Sequence, residues 1–75
     1  MTSEQTRTAL LNALADLGRL HPEWRFGQTL ANVAMAAGRL EAGAVWDLED
    51  DEALAAVRAM LTRRTSAEAR RPVDA

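Results

Sequence analysis

Four sets of side chains have types and spacings that could do chemistry. Arg25, Gln28 and Asn32 recur at steps of three and four, so they form a narrow polar strip along a helix, able either to recognise a ligand or to hydrogen-bond the fold. Glu49, Asp50, Asp51 and Glu52 are four consecutive acids, a pattern that raises divalent-cation binding and acid–base catalysis. His21 is the single histidine. Trp24 and Trp46 each stand beside an acid, Glu23 and Asp47.

Most of these chemistries fail on spacing. A calcium loop needs oxygen ligands at alternating positions, a glycine turn and a closing acid, whereas this acidic run has no gaps. Its better reading is the first turn of a helix, where carboxylates meet the positive end of the helix dipole. Paired carboxylates for acid–base work need an apolar pocket that drives their proton affinities apart, and nothing in the run supplies one. His21 has no second histidine or cysteine with which to share a metal, and fits a helix end whose last carbonyls it can meet. The sequence therefore predicts no catalytic residue, no metal site and no cofactor.

Binding remains. The polar strip reads first as a ladder pinning its helix, with Arg25 paired to Asp47 or Asp50, and second as a recognition surface. Either tryptophan can close a small core, but two are more than about sixty ordered residues need, and an exposed one marks a partner surface because tryptophan is enriched in binding hot spots. The candidate partner-binding residues are thus Trp24, Arg25, Gln28, Asn32, Trp46 and Asp47.

The elements that must position these residues follow from length and periodicity. Seventy-five residues make one domain, and without cysteine neither disulfides nor thiolate metal sites can support it. Nine arginines, no lysine and eleven acids leave a net charge of −2, which argues against a phosphate-neutralising surface. We read the absence of lysine as codon bias. No run is apolar enough for a membrane span and no signal peptide is visible, so the expected location is the cytoplasm.

The predicted fold is all-α: a compact domain of three helices over residues 1–64, at about 3–20, 23–37 and 48–64, with 65–75 as a disordered C-terminal tail. Thr2 and Gln5 have capping-box spacing, Pro22 stops the first helix, Gly38 terminates the second, and acids open the third while Arg63 and Arg64 close it. Residues 44–46 read as a short extended piece. Leu14, Leu17, Phe26, Leu30, Val33, Leu54, Val57 and Leu61 form the predicted core. The second helix is apolar or small over most of its circumference, and Gly27, Ala31 and Ala34 form a strip of tiny side chains. That makes it the predicted central helix, with Gly27 at a close backbone approach. On this reading Phe26→Ala unfolds the protein and Gly27→Ala destabilises it.

The segment HPEWRFGQTLANVA, followed after a loop by AVWDLEDDEAL, resembles a group of short bacterial hypothetical proteins. In that group a leading helix precedes a P-x-x-RFGQ-x-x-x-N segment and then an aromatic-x-x-E-D-x-x-L segment, met here by Trp46, Glu49 and Asp50, with Ala53 at the leucine position and Leu54 one residue on. The match covers His21 to Leu54, about half the chain. It carries no activity, cofactor or catalytic residue, but marks Arg25, Phe26, Gly27, Gln28, Asn32 and Asp47 to Asp50 as the defining constellation.

The expected function is a non-enzymatic protein-interaction module, self-associating or an accessory subunit of a larger bacterial or phage-encoded system, whose partner is a protein or a second copy. The competitors are a DNA-binding three-helix domain, opposed by acids at the start of the third helix where phosphates would lie, and a small enzyme using Arg25, Gln28, Asn32 and an acid.

Overall fold

The computed structural model describes residues 2–41 and 43–69, with Ala44 and residues 64–69 described by their backbone alone. The chain is all-α, with α1 at Ser3–Leu20, α2 at Phe26–Ala36, a 3-10 turn at Ala44–Asp47 and α3 at Asp50–Ala69. No described helix is long and apolar enough to cross a membrane.

The helix ends follow local chemistry. Thr2 Oγ1 accepts from the Gln5 N–H at 3.1 Å while Gln5 Oε1 accepts from the Thr2 N–H at 2.9 Å, the reciprocal capping box that satisfies two orphan donors. At the other end of α1 the His21 N–H reaches the Leu17 carbonyl, and Pro22 prevents continuation. α2 closes on Gly38 at φ 86°, with the Gly38 N–H donating to the Met35 carbonyl at 3.0 Å and the Arg39 N–H to the Ala34 carbonyl at 2.9 Å. That is the paired pattern of a Schellman cap, and the left-handed backbone it needs suits glycine. At the start of α3, Glu52 Oε1 accepts from the Glu49 N–H at 3.2 Å, so the acidic run serves the helix that follows it.

The core takes one fully buried large side chain from each helix, Leu17, Val33 and Val57. Ala13, Ala53, Leu54 and Ala56 complete it, and Leu10, Leu14, Trp24, Leu48, Met60 and Leu61 pack around it half-buried. Small alanines between the large residues let the helices approach closely.

Several sequence expectations meet a different structure. The central helix is α3, which packs extensively against α1 and more lightly against α2. Its buried residues, from Ala56 through Ala53 and Val57 to Leu54, sweep an arc of roughly 160° at ~100° per residue, wide enough to meet two helices. α2 is shorter than expected because residues 22–25 form a turn, and Gly27, Ala31 and Met35 face outward. Phe26 is 70% exposed. As the first residue of α2 it has a Cβ that tilts toward the helix N-terminus, which carries the ring past the end of the core. Gly27 has nothing within 4 Å of where a Cβ would stand, so it allows no close approach. Residues 44–46 are a 3-10 turn and not an extended piece, since the Trp46 N–H bonds back to the Gly43 carbonyl at 3.0 Å. The backbone of α3 runs on to Ala69, a continuation past Arg63 and Arg64 that the sequence also allows as far as Arg71; residues 70–75 of the expected tail lie outside the described residues.

Candidate interaction surface

The six candidate residues divide into two places. Trp24, Arg25, Gln28 and Asn32 belong to α2 and the turn before it. Trp46 and Asp47 sit in the 3-10 turn, against the N-terminal ends of α1 and α3.

Around α2 the four candidates do not share one environment. Trp24 is half-buried, packs against the core and stacks on His21, while its backbone N–H bonds the His21 carbonyl. Arg25 is the N-cap of α2 by backbone geometry alone, with no side-chain cap bond. The expected pairing of Arg25 with Asp47 or Asp50 does not form, because Asp50 is taken by Arg7 at 3.2 Å and Asp47 holds no ion pair among the described residues. Gln28 is exposed and Asn32 half-buried. The buried polar residue of α2 is instead Thr29, whose hydroxyl donates to the Arg25 carbonyl at 3.3 Å.

The second place is a groove of about 790 Å³ between the first turns of α1 and α3, with the 3-10 turn as its third wall. Thr6 and Arg7 line one side, Trp46, Asp47 and Leu48 another, and Glu49, Asp50, Asp51, Ala55 and Arg58 the third. Four carboxylates thus face two arginines, and only Asp50 has an ion-pair partner among the described residues. Trp46 stands at its edge 92% exposed.

Two charged contacts that sequence reading did not anticipate lie in and beside this groove. Arg7 ties α1 to the start of α3 through Asp50, and Arg39 grips Glu52 with both Nε and Nη2, at 3.0 and 2.9 Å. The Arg39 hydrogen bonds, with that from the Glu49 N–H, hold the Glu52 carboxyl below its ordinary proton affinity, and Glu52 in turn raises that of Arg39. The loop carrying Trp46 is therefore anchored at its start by Arg39 and at its end by α3. The available signal was Arg39 directly after a helix-terminating glycine, a position that faces the next element.

Among the described residues no cluster of three metal-ligating side chains converges. The groove is suited to hold a flat or cationic group against an indole with carboxylates nearby, by the attraction of a cation to an aromatic face. Comparison of the chain with protein-family models, with curated proteins and with solved structures finds no match.

Proposed function

We propose that the chain is a non-enzymatic, cytoplasmic protein-interaction module, working by self-association or as an accessory subunit of a bacterial or phage-encoded assembly, and that it docks through the groove beside Trp46. The observation that carries this reading is the 92% exposure of an indole held on an anchored turn. A large apolar ring left in water costs burial free energy that a partner would recover, about 25 cal/mol per Å² of apolar surface. Leu40 and Val45, in the same loop region, are also exposed and add to the apolar surface between α2 and α3.

The DNA-binding alternative has less support. Asp50 and Asp51 open α3, where phosphates would be met, and Arg58 and Arg63 stand roughly 140° apart on the helix, so they do not share a face. For the enzyme alternative, Arg25, Gln28 and Asn32 line no part of the groove.

The test compares tagged wild type with Trp46→Ala in affinity purification from the native host, quantified by mass spectrometry. Trp46→Ala should keep the wild-type melting temperature and lose at least one specific partner. An unchanged partner set overturns the reading.

A further inference from the structure

We infer that the occupant of the Trp46 groove is a second copy of this chain, docked antiparallel along α3 with the two-fold axis beside Ala55. The inference rests on the docking role proposed for the groove and goes beyond it by naming the partner and the contacts.

One face of α3 carries complementary charges. Asp51 and Arg58 are both exposed and both line the groove. Seven residues apart, they fall roughly 20° from each other on the helix and about 10.5 Å apart along it, too far to pair within one chain. Between them stands Ala55, also exposed and also lining the groove, whose methyl lets another backbone come close. An antiparallel copy centred beside Ala55 sets Asp51 against Arg58 of the second copy and Arg58 against Asp51 of the second copy. Both pairs form at once because a two-fold interface is self-complementary.

Charge reversal tests this pairing directly. Sedimentation velocity and Trp46 emission, recorded on a Trp24→Phe background from 1 μM to 1 mM, should show a monomer–dimer equilibrium with a blue shift on association. Arg58→Asp and Asp51→Arg should each raise the dimer Kd at least tenfold. The double variant Asp51→Arg/Arg58→Asp should return to within about threefold of wild type, and an equimolar mixture of the two single variants should form a heterodimer more tightly than either associates with itself. Circular dichroism on every variant separates lost folding from lost association, and Arg58→Asp, at an exposed mid-helix site, keeps the test valid if Asp51→Arg fails to fold. A monomer at all concentrations, or a dimer indifferent to Arg58→Asp, overturns the inference. If the wild type is monomeric but Trp46→Ala still loses a partner in the purification, the docking role stands and the occupant is another protein; if Trp46→Ala loses nothing, both fall.

Discussion

The imidazole of His21 lies flat on the indole of Trp24, with ring centroids 3.8 Å apart and planes 4° from parallel. The stack closes the turn between α1 and α2 and holds Trp24 against the core, so the two tryptophans have opposite roles. In dilute protein, a Trp24→Phe variant that keeps only Trp46 should be quenched by acrylamide almost as efficiently as free tryptophan. A Trp46→Phe variant that keeps only Trp24 should be quenched several-fold less. Equal quenching constants would contradict this division.

Core truncation should be severe where all three helices meet. Leu17→Ala is expected to cost ~2 to 5 kcal/mol, comparable with the whole stability of a small domain, because Leu17 is fully buried. Phe26→Ala should stay within ~0.5 kcal/mol of wild type, as its ring is already in solvent. Urea unfolding of both variants checks the order, and a Phe26→Ala variant less stable than Leu17→Ala would reverse it.

Two glycines should respond in opposite directions. Gly27→Ala should raise stability by up to ~1 kcal/mol through helix propensity, since open space surrounds the site. Gly38→Ala should lower it by ~1 kcal/mol, because φ 86° puts a Cβ in a backbone region that L residues rarely adopt. Paired thermal melts decide the signs.

Acid should weaken the Arg39–Glu52 clamp. Glu52 has its proton affinity lowered in the folded state, so its contribution is present above the ordinary carboxylate value of 4.5 and is lost as pH falls through the lower folded value. The melting-temperature gap between wild type and Glu52→Gln should therefore be widest near neutrality and close on acidification below that value. Because the pair is partly exposed, salt should narrow the gap as well. A gap constant from pH 7 to pH 2 would exclude the clamp as its source.

Features set by neighbours in the chain were legible from residue order. The Thr2–Gln5 capping box, the stop at Pro22, the left-handed Gly38 and the acidic opening of α3 each depend on bonds spanning three to five residues, and each forms as read. Leu10, Leu14 and Leu17 on α1 also point inward, as one apolar face opposite a polar one favours, while Leu11, which widens that stripe in sequence, stays 60% exposed. α2 gave periodicity no such hold. A helix apolar nearly all round can turn any side inward, and what settled its orientation was the broad alanine-rich arc of α3, onto which Val33 and Ala37 pack. That choice sent Phe26 into solvent and left Gly27 uncrowded. The groove beside Trp46 lay further still from sequence reading. Beside it Arg7 meets Asp50 across 43 positions and Arg39 meets Glu52 across 13, and contacts between elements so far apart in the chain leave no local period to detect.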